Sequence, residues 1–348
     1  MSEHAASASA MAGFIAGLPK AELHVHLQGG ASVETILELS RRHPHEGIPT
    51  DDAALREFYR FTDFDHFIRV YMDVNRLVKS ADDVQSLVSG LGRDLARVNV
   101  RYAEVTVTVD SHLQAGIEPD ALAEALTRGR ADSLAMHDVE IAFTYDINGM
   151  DGHAGAERTI AWAEQFMPAG STGFGIGGPE DGLPRRDYAP YFRRAREIGL
   201  ASVPHAGETT GPESIRESIH ALGAVRIGHG IAAAKDASLI RELVERGIVL
   251  EVCPTSNVRT RAVASLPEHP FPVLRAAGVR VTLNTDDPGM FDTDLVREFA
   301  IAHEVFGIDA EGLAGLARES VLASLAPPGT KARILAEIDE FAAGGPPA

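Results

Sequence analysis

Cysteine is almost absent from this chain. Among 348 residues only Cys253 is present, so no internal disulfide can form, and a reducing cytoplasm is the natural compartment. Basic residues are few beside acidic ones, 32 against 50, which gives a formal charge of −18. A nucleic-acid binder would carry a basic stripe, and this composition argues against one. Long apolar runs are missing as well, so no segment is expected to span a membrane. The patch from Ala10 to Leu18 has Glu3 and no Lys or Arg before it, and does not read as a signal peptide. Lysine is confined to Lys20, Lys79, Lys235 and Lys331. There is no low-complexity linker and no Gly-rich dinucleotide fingerprint after the first strand. The run Gly173 to Gly178 lacks the Lys-Ser/Thr of a phosphate loop.

What the chain does have is 45% hydrophobic residues, enough for a sizeable core. Residues 1–10 read as a loose, flexible tail, with Met11 as an alternative start, and 11–348 as a single domain. Ala21 to Leu27 interleaves apolar and polar residues at period two, the pattern of a strand. Residues i and i+2 of a strand share a face, so His24 and His26 present two imidazoles side by side, half of a metal site. Ser32 to His43 reads as a helix ended by Pro44. His43 and His45 fall in a surface loop, where metal binding is not expected. A helical insertion follows over about 50–98. Its stripe of Phe64, Phe67, Ile68, Tyr71, Val74 and Val78 serves either packing or the roof of a site. Ser80, with Asp83 at the third helical position, reads as a capping box.

From there strands alternate with amphipathic helices. Strands are expected near 101–108, 139–147, 172–177, 201–206, 225–228, 248–252 and 279–284, and C-terminal helices over 309–341. With the first strand this makes eight β/α units, an α/β fold of the (β/α)8 TIM-barrel type; a doubly wound sheet is the second choice.

In such a barrel the active site lies at the C-terminal ends of the strands. The ends of strands one, five, six and eight hold His24 and His26, His205-Ala-Gly-Glu208, Gly228-His229-Gly230 and Asn284-Thr-Asp286-Asp287-Pro288. Each has an ordinary structural explanation alone; together, at one end of one barrel, they point to a mononuclear metal centre. His24, His26, His205 and Asp286 would hold one Zn²⁺ with a position left for water. His229 and Asp286 are both candidates for the base that takes the water's proton. Glu208 is placed as the general acid and Asp287 as a hydrogen-bonding partner of the substrate. A bridged binuclear site is disfavoured, because no lysine sits at a strand end. Cys253 as a nucleophile lacks a neighbour to activate it.

The order HxH (24–26), HAGE (205–208), RIGHG (226–230), CPTSN (253–257) and LNTDDP (283–288) resembles the adenosine deaminase family over nearly the whole chain. That resemblance implies a TIM barrel with one catalytic zinc and hydrolytic deamination at C6 of an adenine ring. It also implies residue roles. His24, His26, His205 and Asp286 are the zinc ligands, and Glu208 protonates purine N1. His229 orients the attacking water, Asp287 bonds N7, and the backbone N–H of Gly178 meets N3.

Three departures lie on the sugar side. Gln28 stands where the family carries an Asp or Glu that accepts from the 5′-hydroxyl, so Gln28 is expected to bind substrate differently. Pro179 and Thr106 replace an acidic residue and an arginine. The pattern resembles the branch that deaminates 6-amino-6-deoxyfutalosine in an alternative menaquinone pathway, whose 5′ side carries an aryl ketone. Phe58, Phe61, Phe64 and Phe67 would roof that group, and an arginine such as Arg60 or Arg69 would meet its benzoate. Adenosine or 2′-deoxyadenosine is the alternative substrate, and free adenine a third. A catalytically inactive purine-binding barrel and hydrolysis of an amide or phosphoester at the same metal are readings from other classes.

Overall fold

The computed structural model describes residues 3–345; the side chains of residues up to 8 and those of Phe64 and Asp65 lie outside the described set. Nine short strands line the interior: β1 (Lys20–His26), β2 (Val100–Val107), β3 (Glu140–Asn148), β4 (Ser171–Gly177), β5 (Ala201–Ser202), β6 (His205–Ala206), β7 (Arg226–His229), β8 (Val249–Val252) and β9 (Arg280–Leu283). Every pairing between them is parallel, in the order β1 to β5 and β6 to β9.

Two seams join these arcs. Val203 N–H donates to Phe174 O and Gly228 N–H to Pro204 O, each at 2.9 Å, so β5 and β6 are one strand interrupted where Pro204 has no N–H to give. On the far side His26 N–H reaches Asp286 O and Asp286 N–H reaches His24 O, both at 2.9 Å, which ties β1 to the end of β9. Hydrogen bonds therefore run around the ring, and the fold is the (β/α)8 barrel that the alternating pattern predicts. The strands are buried on both faces, as in parallel sheets covered by helices.

Between β1 and β2 the chain forms helices Val33–Arg42, Asp52–Phe58, Phe64–Asn75 and Ala81–Arg97. Side-chain oxygens of Ser32, Asp51, Asp63 and Ser80 cap them, and Ser80 with Asp83 closes a reciprocal capping box. Three short helices escape the periodic pattern: Val109–Gln114, Pro254–Arg259 and Pro288–Phe291. All follow strand ends and help build the site.

The N-terminus differs from expectation. Glu3–Gly17 is a helix, where a loose tail to residue 10 is expected. Alanine-rich sequence favours the helix, and Phe14 and Ile15 anchor it, Phe14 packing on Phe341 of the C-terminal helix Pro328–Ala343 at 5.4 Å between ring centroids. No helix among the described residues is long and apolar enough to cross a membrane.

Candidate active site

Three strand ends, those of β1, β6 and β9, bring the four metal-ligand candidates together. His26 Nε2 lies 3.2 Å from His205 Nε2 and 3.2 Å from Asp286 Oδ1, and His24 Nε2 lies 3.4 Å from the same oxygen. All four ligand atoms fall within 4.8 Å of one another. A tetrahedral sphere with bonds of about 2.0–2.1 Å spaces its donors by about 3.3 Å, so these separations fit one ion. His24 Nε2 is buried and has no aligned hydrogen-bond partner. Burial opposes protonation of His24, yet the Asp286 and Glu251 carboxylates outweigh it and hold the imidazole up at about 10. His26 is likewise held at about 9, against burial, by Asp287 and Asp286. A centre that draws in positive charge this strongly suits a divalent cation.

The ligands are themselves held. Glu251 Oε2 accepts from His24 Nδ1 at 2.9 Å, which turns Nε2 to the centre. Arg226 Nε donates to Glu251 at 2.5 Å, and its other end pairs with Glu104. These three charges are fully buried and compensate one another. Ser256 Oγ donates to Asp286 Oδ2 at 2.6 Å. Gly228 has to be glycine, since a Cβ there would stand 2.7 Å from His24 Cε1. His229 and Asp286 sit at φ +59° and +66°, a left-handed conformation that costs non-glycine residues roughly 1–2 kcal/mol. Strain at these two positions marks where geometry matters more than stability.

Glu208 stands beside the centre, on the turn after β6. The loop after β4 fixes that turn. Glu180 accepts from Gly207 N–H at 3.0 Å, from Glu208 N–H at 2.9 Å and from the Thr210 hydroxyl. Arg185, also buried, donates to His205 O at 2.9 Å. Thr260 Oγ1 donates to Glu208 Oε1 at 2.9 Å. Burial, followed by the Asp286 and Glu180 carboxylates, pushes Glu208 up to about 8. His229 Nε2 lies 3.6 Å from Glu208 Oε2 and 3.8 Å from Asp286 Oδ2. Asp287, pushed up to about 7 by burial and then by Asp286, keeps a buried Oδ1 without a partner.

His26, His205, Asp286, Glu208, His229, Asp287 and Gly178 line one cavity of about 760 Å³, its open mouth included. The opposite wall is Phe67, Ile68, Tyr71 and Met72, with Met150 and Pro179 at the rim. Thr108, Ser111, Asp146 and Asn148 supply a polar side that the sequence alone does not single out. Asp146 is 3% exposed and accepts from Thr108 Oγ1 at 2.8 Å.

Gln28, the expected sugar-side residue, sits in the turn after β1. The strand ends at His26, and residues 27–30 turn, with Gly30 N–H bonded to His26 O at 2.8 Å, so the period-two face does not continue to residue 28. Gln28 is 2% exposed, lies 3.1 Å from His112 Nε2 through its amide nitrogen, and is not among the described residues that line the cavity. Of the four expected roof phenylalanines only Phe67 lines the cavity among described side chains; Phe61 packs on Phe67 and Phe291, Phe58 on Tyr59, and Phe64 lies outside the described set. Arg60 pairs with Glu57, Arg69 is exposed, and no arginine is among the described lining residues. Cys253 is buried, and burial pushes its thiol well up, so it is no nucleophile.

Comparison with known proteins shows the family. The family model described as adenosine deaminase matches residues 19–341. The chain belongs to the adenosine deaminase family. Within it, an aminodeoxyfutalosine deaminase of Streptomyces avermitilis is 49% identical over 332 residues, 95% of this chain and 93% of the relative. An adenine deaminase of Mesorhizobium japonicum is 34% identical, over 92% of this chain and 98% of its own. Among solved structures, an adenine deaminase from Arthrobacter aurescens superposes with a TM-score of 0.89 at 29% identity, covering 94% of this chain and 99% of that one. The adenosine deaminase family consists of metal-dependent hydrolases, in keeping with the ligand quartet. Glu104, Arg226 and Glu251 were open to detection in the sequence, since each is a charged residue on a largely apolar, buried strand. Glu180 and Arg185 were not, because a loop carries no periodicity.

Proposed function

We propose that this protein is a zinc-dependent hydrolase that removes the 6-amino group of an adenine nucleoside altered at its 5′ side, 6-amino-6-deoxyfutalosine, on a route to menaquinone. The reaction rests on one observation: His24, His26, His205 and Asp286 converge on one point, and the last three line a cavity together with Glu208, His229 and Asp287. The substrate rests on the 49% identical relative and on the apolar wall of Phe67, Ile68, Tyr71 and Met72, which suits an aryl group. A cytoplasmic location fits the single buried thiol.

One zinc ion per chain, held by that quartet, would supply Lewis acidity that brings water toward ionisation at neutral pH. The other steps belong to the protein. Glu208, carrying a proton below about 8, delivers it to N1 and makes C6 electrophilic. Purine N7 is an acceptor, and Asp287, with a carboxyl near 7, can present a proton to it. The Gly178 N–H meets N3, and His229 hydrogen-bonds the attacking water. C6 gains oxygen and releases ammonia. Thr108, Ser111, Asp146 and Asn148 meet the sugar, a task assigned here in place of Gln28.

One observation favours adenosine as the alternative substrate: no described arginine lines the cavity to meet a benzoate. The test is metal analysis of the purified protein with an ultraviolet and ammonia assay on adenine nucleosides. About one zinc per chain and one ammonia per hypoxanthine-type product are expected. Neither metal nor turnover would favour a purine-binding barrel, and turnover without ammonia an amide or phosphoester hydrolase.

A further inference from the structure

Behind His229, on the side away from the ligand quartet, lies a chain of buried polar groups with no part yet in the chemistry. Asn257, on the short helix Pro254–Arg259, places Nδ2 3.1 Å from His229 Nδ1. Its Oδ1 lies 3.2 Å from His269 Nε2. His269 Nδ1 in turn faces the backbone nitrogen of Phe271 at 3.1 Å. His229, Asn257 and His269 are 1%, 0% and 3% exposed, so water has little access to substitute for any link.

The two ends of an amide, and the two nitrogens of an imidazole, are told apart by their partners. Here one partner has no choice: a backbone N–H can only donate. His269 Nδ1 must therefore accept and carries no proton, so in the neutral ring the proton is on Nε2. Burial pulls His269 down to about 4, which keeps the ring neutral. His269 Nε2–H then donates to Asn257, so the amide end facing it is the oxygen. The other end, the NH₂, faces His229 and donates to Nδ1. His229 Nδ1 is thereby an acceptor, and the proton of the neutral ring lies on Nε2, the nitrogen facing Glu208 and Asp286.

We propose that the relay Phe271 N–H, His269, Asn257 holds His229 as its Nε2–H tautomer, so that His229 enters the pocket as a hydrogen-bond donor and not as the base. Asn257 and His269 are positioning residues that act through His229. This builds on the deaminase reading above. It also resolves the choice between His229 and Asp286: a nitrogen that already carries its proton cannot take another from water, and the carboxylate remains as the acceptor.

The test uses the metal-loaded protein labelled with ¹⁵N-histidine, with the His229 signals assigned by their loss in His229→Asn. Long-range ¹H–¹⁵N spectra of the resting wild type should show a bare Nδ1 and a protonated Nε2 at residue 229. In Asn257→Asp a carboxylate faces Nδ1, so that nitrogen should gain a proton, with kcat down about 10²–10⁴-fold, the scale seen when a catalytic histidine is given the wrong tautomer, and KM little changed. His269→Gln, whose amide can still donate to Asn257, should keep the wild-type spectrum and most of kcat. A wild-type His229 protonated at Nδ1 would overturn the relay, as would an Asn257→Asp protein with unchanged spectrum and kcat. The wild-type spectrum decides the matter even if Asn257→Asp does not fold. Because the spectrum needs no substrate, a relay that is present without any deamination would count against the reaction alone.

Discussion

Glu208 concentrates the chemistry of this pocket in one proton. Its carboxyl is held up to about 8, first by burial and then by Asp286 and Glu180, so it is protonated at neutral pH. An acid works only while it holds its proton, so kcat should fall as pH rises through that value. A bound cation lowers nearby carboxyls, which puts the alkaline limb at or below about pH 8. Glu208→Gln should cut kcat by about 10²–10⁴-fold with zinc content unchanged, checked by steady-state kinetics and metal analysis. An unaltered kcat would remove Glu208 from the acid role. At this scale the sequence is legible where side-chain parity governs. His24 and His26 follow from the period of a strand, and Asp286 from its position at a strand end. Gln28 is singled out by family position alone, since parity stops with the strand at His26 and nothing in Leu27-Gln28-Gly29-Gly30 states how the turn rotates.

Among the elements, the loop after β4 does the most for its length. Glu180 and Arg185 grip the backbone of the turn that carries both His205 and Glu208. A carboxylate accepts from several donors at once, whereas an amide has one accepting oxygen. Glu180→Gln should therefore loosen Glu208, lowering kcat by roughly tenfold and stability by about 1–3 kcal/mol, read by kinetics and denaturant unfolding. Full activity and stability in that variant would show that the grip is dispensable. Loops of this kind were hidden from sequence reading, since their contacts reach across the chain. The N-terminal helix shows the same limit. Its small residues resemble a tail until Phe14 is seen against Phe341.

Over the whole molecule, the repeated alternation of apolar strands and amphipathic helices was enough to give the barrel, because eight parallel strands need helices between them and one closed core. Closure itself was not written in any local pattern: it depends on Val203 and Pro204 bridging one seam and on His24, His26 and Asp286 sharing backbone hydrogen bonds at the other. That second seam is also the metal centre, so closing the barrel assembles the ligands. This centre, on the reading proposed above, deaminates an adenine nucleoside chosen by its 5′ side. The most direct measurement is kcat/KM, under one condition, for 6-amino-6-deoxyfutalosine, adenosine and adenine. The first should be preferred by at least about tenfold, or roughly 1.4 kcal/mol of transition-state binding. Equal or greater kcat/KM for adenosine would contradict it.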